Sequence, residues 1–203
     1  MTLRDITSGA LSSATLHEAA GRTGALPSVI GPAFAAARVA GPAFPVASPP
    51  GDNLWIHRAV YSAEPGDVLV VDVGGGTEFG YWGEILSTAA LARGLAGLVI
   101  NGGVRDRDAL TELGLPVFSA GLCIRGTGKD FDGTGSLGTP VRVGEVFVGR
   151  GDLVVGDADG VVVIPQADIE AVLKAAAERE TKEAALMRRI RAGERTLDLY
   201  GWQ

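Results

Sequence analysis

The chain has 203 residues, of which 46% are hydrophobic, and a formal net charge of -6. That apolar share excludes a disordered chain, and the absence of a basic block excludes nucleic acid as a principal partner. The lone Cys123 rules out an internal disulfide, the N-terminus lacks an apolar signal region, and no apolar run reaches about 18 residues, so a cytoplasmic protein without a membrane span is expected.

Taken in order, residues 1–24 predict one helix. Ser12 or Ser13 caps it, Leu16 and Ala19-Ala20 face inward, and Gly21 or Gly24 ends it. His17 on this helix reads as a surface or packing residue. Residues 25–53 are rich in proline and glycine and predict extended chain and turns, with one strand at residues 37–41. Pro42, Pro45, Pro49 and Pro50 argue against a central strand beyond that point. Asp52-Asn53 then caps a helix over residues 54–62, closed by Glu64-Pro65-Gly66. His57 and Trp55 on it read as structural residues.

Residues 67–106 are the part around which the rest is arranged. Val68 to Val71 are branched and apolar, the pattern of a strand buried on both faces. From Trp82 the period becomes helical, with Ile85, Leu86, Ala89 and Ala90 inward and Gly94 as the stop. Leu98-Val99-Ile100 predicts a second buried strand, closed by Gly102-Gly103. The unit is therefore βαβ with parallel strands and a right-handed crossover. Asp106 opens a further helix that Gly114 closes, and Pro116-Val117-Phe118 predicts a third strand. A glycine-rich connection over residues 121–138 follows, then strands at 141–143, 145–148, 153–155 and 161–164. From Pro165 to about Ala192 the chain reads as a charged helix with a thin apolar seam of Ile169, Val172, Leu173, Leu186 and Ile190.

Ligands of parallel βαβ units bind outside the carboxyl ends of the strands. Glu84, in the first turn of the crossover helix, and Arg105-Asp106, directly after the second strand, lie at that end. Helix-start N–H groups attract anions, a guanidinium grips a carboxylate in two parallel bonds, and carboxylate oxygens suit Mg²⁺ or Mn²⁺. The set suits a small 2-oxo acid held against a divalent cation. The plain alternatives are that Asp106 only caps a helix and that Glu84 only complements a helix dipole. Gly74, Gly76 and Gly80 do not have dinucleotide spacing. Of the three lysines, Lys129 is the one in a position to touch a ligand, in the glycine-rich connection. A Schiff-base lysine belongs more naturally on a buried strand. Zinc spacing and nucleophile-histidine sets are absent.

Gly83-Glu84-Ile85-Leu86 and Asn101-Gly102-Gly103-Val104-Arg105-Asp106 resemble the family of the 4-hydroxy-4-methyl-2-oxoglutarate/4-carboxy-4-hydroxy-2-oxoadipate aldolases and the regulators of ribonuclease E activity. So do Pro65 to Asp72, Arg125-Gly126-Thr127, Gly151-Asp152 and Gly160-Val161-Val162. The family's aldolase signature is an acid, twenty intervening residues and Arg-Asp. Glu84 and Arg105 stand in that spacing, with Glu where the aldolases often carry Asp. The resemblance implies an α/β fold with a swivelling β/β/α core over residues 1–165. A C-terminal helix and tail, residues 166–203, would reach a neighbouring subunit in a homotrimer or homohexamer. It implies Mg²⁺- or Mn²⁺-dependent retro-aldol cleavage that releases pyruvate, with oxaloacetate decarboxylation beside it. Arg105, Glu84 and Asp106 would be catalytic, and Gly83, Glu84, Ile85, Leu86 and Arg105 would bind substrate. Asp106 would hold the metal, with Glu84 reaching it through water and Glu183 from the neighbouring subunit, Glu180 standing behind it as the second choice. The family equally implies an alternative, a non-catalytic protein-binding regulator.

Overall fold

The computed structural model describes residues 11 to 202. Its centre is the predicted βαβ unit. Strand β3 (Val68–Asp72) pairs in parallel with β5 (Gly97–Val104), and α3 (Glu84–Ala92) crosses between them. Side chains alternate across a strand. Leu69, Val71, Leu98 and Ile100 therefore pack under the helices, and Val68, Val70 and Val99 pack on the opposite face. All are fully buried, each stabilising the fold by roughly 1.5–3 kcal/mol.

The helices over the first face are α2 (Leu54–Ser62), α3 and α4 (Arg107–Leu113). The sheet runs β1 (Gly31–Pro32), β6 (Val117–Leu122), β5, β3, β2 (Val39–Ala47), β10 (Leu153–Asp157), β11 (Gly160–Ile164). Strands β2, β3, β5 and β6 are parallel, and β1, β10 and β11 join antiparallel. The far edge curls back: Ala25 bridges Val162 just before the chain enters β1, so the mixed sheet is nearly closed. Strand β7 (Ser136–Leu137) extends β2, and β8 (Val141–Val143) with β9 (Val146–Val148) form a separate hairpin.

Three features differ from the sequence reading. Strand β2 continues through Pro42 and Pro45 as a central strand. The chain tolerates this because neither proline is asked for a ladder N–H. Pairing with β3 begins only at Ala43, and Pro45 falls between the end of the β10 ladder at Pro42 and the β7 ladder at Val46. Gly102 and Gly103 lie inside β5 rather than closing it. A methyl at Gly102 would meet the Tyr81 ring and Val73 at 2.9 Å, and one at Gly103 would stand 2.7 Å from the Phe79 carbonyl. These glycines let an extra strand approach, β4 (Gly80–Trp82), which the sequence reading lacks. It takes over the edge of β5 at Gly103 and Val104, where β3 has left it. Finally, Ile85 is 76% exposed, while Leu86 and Ala90 form the buried stripe of α3.

At the N-terminal side, Ser12 caps α1 (Ser13–Ala19) by accepting from the Thr15 N–H. The terminal helix α5 (Ile169–Arg191) buries Val172 and Ala176 in a cluster with Leu16, Val162 and Ile164. The Thr15 hydroxyl donates to Glu180 at 2.6 Å and ties the two helices together. Met187 and Ile190, further along α5, are exposed, as are Leu197 and Tyr200 on α6 (Thr196–Tyr200). Among the described residues no helix is long and apolar enough to cross a membrane.

Candidate active site

Trp82 fixes the start of α3. Its buried indole N–H donates to the Ser87 hydroxyl at 2.6 Å, and its carbonyl accepts from the Arg105 N–H at 2.9 Å. Arg105 therefore leaves β5 beside the N-terminus of α3. Room for its stem comes from Gly80 and Gly83, where a methyl would lie 3.2 and 3.1 Å from Arg105 side-chain carbons.

Asp106 stands at the N-cap of α4 with φ 59° and ψ 40°, a left-handed conformation that costs a non-glycine residue about 1–2 kcal/mol. Its carboxylate does not cap its own helix. Oδ2 instead accepts from the Glu84 N–H of α3 at 3.1 Å and lies 3.7 Å from Arg105 Nε. The strained backbone thus turns the carboxylate away from α4 and into the rim of the predicted site. The carboxylate thus caps the start of the neighbouring helix α3 and not that of its own.

Arg105 and Asp106 line a cavity of about 230 Å³. Gly83, Ile85 and Leu86 close one side with the first turn of α3, whose opening N–H groups have no partner within the helix. Glu84 contributes its backbone. Its side chain is exposed and does not line the cavity. Glu183 is held within its own helix by Arg179 at 2.7 Å, and neither it nor Glu180 lines the cavity.

Of the rest of the lining, the sequence reading anticipates Lys129 alone. Asn53 and His57 of α2, with Thr127 and Lys129 of the 121–138 connection, complete the cavity. His57 is therefore a cavity residue, although its place on an early helix suggested packing. Trp55 is structural: its indole donates to the Gly133 carbonyl at 3.1 Å, with Arg58 stacked 4.5 Å over its ring. The missed signal was the Asp52-Asn53 pair. Asp52 supplies the capping acceptor, taking the Leu54 N–H at 2.8 Å, and so frees Asn53 for another use.

Burial holds the His57 imidazole below its ordinary value of 6.5, the Lys129 ammonium lowers it further, and the Asp52 carboxylate opposes both. Folding thus favours the neutral ring. Its contribution to stability is complete above pH 6.5 and is lost as pH falls through the lowered value. An NMR titration should place the His57 midpoint below 6.5, and His57→Gln should flatten the acid limb of thermal stability. A midpoint at or above 6.5 would remove the ring from this environment.

Among the described residues no three His, Cys, Asp or Glu side chains are grouped to hold an ion. Among the described residues the lining supplies one carboxylate, the half-exposed Asp106, and its Oδ1 accepts from no protein donor there. That does not suit Zn²⁺, which needs three or four protein ligands. It does fit Mg²⁺, which keeps several waters and binds through one or two carboxylates and its substrate.

A family model described as RraA-like, Aldolase/RraA, matches residues 7–163. The chain belongs to this family. A relative in Halalkalibacterium halodurans, named "Putative 4-hydroxy-4-methyl-2-oxoglutarate aldolase", is 39% identical over 140 residues, 69% of this chain and 66% of the relative. The match thus spans just under two thirds of that relative's length. An uncharacterized protein from Pseudomonas syringae superposes with a TM-score of 0.82 at 27% identity, over 96% of this chain and 92% of the other. Streptomyces coelicolor RraAS2, described as an unusual member of the RNase ES inhibitor RraA protein family, gives a TM-score of 0.74. It is 30% identical over 92% of this chain and 96% of its own. The RraA-type α/β fold is thereby established for this protein.

Proposed function

We propose that this RraA-family protein is a class II aldolase. It cleaves a 4-hydroxy-2-oxo dicarboxylic or tricarboxylic acid of the 4-hydroxy-4-methyl-2-oxoglutarate type, releases pyruvate, and decarboxylates oxaloacetate. One observation carries the reading: two cations, Arg105 and Lys129, line one small cavity in which, among the described residues, Asp106 is the only carboxylate. A 2-oxo acid with a second carboxylate matches that charge pattern and that volume.

Each lining group has a part in the cleavage. The Ile85 and Leu86 N–H groups, at the positive end of α3, hold the carboxylate next to the keto group. As the C3–C4 bond breaks, its electron pair moves toward the 2-oxo oxygen, and the Arg105 guanidinium stabilises the enolate that forms there. Lys129 anchors the second carboxylate. The C4 hydroxyl gives its proton to solvent water in the cavity as the bond breaks and C4 becomes a carbonyl, and the enolate takes a proton from water at C3 to give pyruvate. Asp106 would hold Mg²⁺ or Mn²⁺, which when bound supplies Lewis-acid polarisation of the keto oxygen. Glu84 sits too far out to line the cavity in this chain, so its carboxylate is left with a role at the rim. The same reading carries a trimer or pair of trimers in which Glu183, or Glu180, comes from a neighbouring subunit. Light scattering reads that assembly, and a monomer at working concentration would remove the neighbour's acid.

The test is direct. Purified protein with Mg²⁺ and oxaloacetate or 4-hydroxy-4-methyl-2-oxoglutarate should yield pyruvate, and EDTA should abolish the yield until Mg²⁺ is restored. A rate unmoved by EDTA overturns the metal dependence. Silence with every 2-oxo acid favours the second reading, a non-catalytic protein-binding regulator. That alternative draws on the likeness to RraAS2 and on the exposed Met187, Leu197, Tyr200 and Trp202 at the C-terminal end.

A further inference from the structure

Asparagine is among the best helix-capping residues, and losing a cap costs about 1 kcal/mol. Asn53 occupies the N-cap of α2 and makes no capping bond with its side chain. The amide is buried, 6% exposed, and both of its ends are used elsewhere. Nδ2 donates to the Tyr81 carbonyl on β4 at 2.8 Å, and Oδ1 accepts from Lys129 Nζ at 2.8 Å. The carbonyl of Tyr81 can only accept and the ammonium can only donate, so a single orientation of the amide satisfies both.

The backbone around Lys129 is pinned by the same segment. The Gly128 N–H donates to the Gly51 carbonyl at 2.7 Å, and the Asp130 N–H donates to Asp52 Oδ2 at 2.5 Å. Lys129 is thus clamped on both sides in sequence and at its tip. Asn53 takes one of its three N–H donors, which leaves two for a ligand in the cavity.

We propose that Asn53 is a positioning residue. It fixes the Lys129 ammonium against the wall of the cavity, and the pair makes the site select 2-oxo acids with a second carboxylate over monocarboxylates. The proposal rests on the lyase reading for its substrate class. Its geometry is tested by binding, which does not require turnover.

Wild type, Asn53→Ala, Lys129→Met and the double variant are titrated calorimetrically, with Mg²⁺ present, against 2-oxoglutarate and against pyruvate. Asn53→Ala should weaken 2-oxoglutarate about 10-fold and leave pyruvate within about 2-fold. In the Lys129→Met background it should cost nothing more, because Asn53 acts only through the ammonium. Asn53→Ser adds a hydroxyl able to cap α2, a bond that the wild-type side chain does not make, and should behave like Asn53→Ala, which separates loss of positioning from any change at the helix start. In turnover, the same loss should appear in KM for 4-hydroxy-4-methyl-2-oxoglutarate with kcat within about 2-fold. Equal weakening of both ligands, additive losses in the double variant, or no binding of 2-oxoglutarate by wild type overturns the proposal. If the coupling is seen in binding while no pyruvate forms from any substrate, the positioning role stands and the lyase reading falls.

Discussion

Arg105→Ala should lower kcat by about 10³-fold or more while the protein folds as before. Removing a single preorganised donor from a developing oxyanion typically costs 10²–10³-fold, and here the lost group also carries a full charge. The fold should survive because the side chain is 43% exposed and its nearest acid, at 3.7 Å, is the equally exposed Asp106. A surface substitution of this kind shifts stability by about 0.5 kcal/mol or less. Arg105→Lys keeps the charge but loses the planar fork, so it should recover only part of the rate. The measurement is steady-state turnover beside a thermal melt. Ordinary turnover in the alanine variant would remove Arg105 from the chemistry and leave the cavity without its central cation.

A single methyl at Gly83 should be nearly as damaging. A Cβ there would stand 2.3 Å from Asp106 Oδ2 and 3.1 Å from Arg105 Cγ, so it presses on both functional side chains at once. Both obstacles are side chains that can swing aside. The fold should therefore hold while the carboxylate loses its bond to the Glu84 N–H and the guanidinium shifts. We expect kcat/KM for Gly83→Ala to fall about 10²-fold, since misplacements near 1 Å cost that much, with the melting temperature little changed. Gly103→Ala is the contrasting control. Its methyl meets the Phe79 and Thr77 carbonyls at 2.7 and 3.0 Å, which cannot swing aside, so stability should fall first. Full activity in Gly83→Ala would mean that the Asp106 carboxylate is not used where the structure holds it.

The two substitutions also separate what composition and spacing could convey from what they could not. The apolar runs at Val68 to Val71 and at Leu98 to Ile100 were legible as buried parallel strands, because a strand covered on both faces has no polar positions to offer. Helix α2 was legible to the residue, since Asp52-Asn53 and Glu64-Pro65-Gly66 punctuate it. Arg105-Asp106 beside the start of α3 was legible from the βαβ topology, which sends both strand ends to one rim. Strand β4 was not, because three residues carry no period and its pairing depends on glycines in a different strand. The prolines of β2 misled for a similar reason. A missing N–H matters only where a neighbouring strand asks for it, and the neighbours are distant in sequence.

By itself, then, the sequence determined the α/β class, the parallel unit, the cation and acid at its edge and, through their spacing, the family. Only tertiary structure decided the other half of the site. His57, Asn53 and Lys129 lie 24 to 52 residues away from Arg105 in sequence and meet it around a cavity because the sheet curls and α2 packs on it. Tertiary structure also gave Glu84 and Asp106 different surroundings. Both are acids at helix starts, and the left-handed backbone at Asp106 turns one carboxylate inward while the other stays in solvent. Side-chain direction depends on φ and ψ set by packing, and packing is a long-range property that local spacing does not encode.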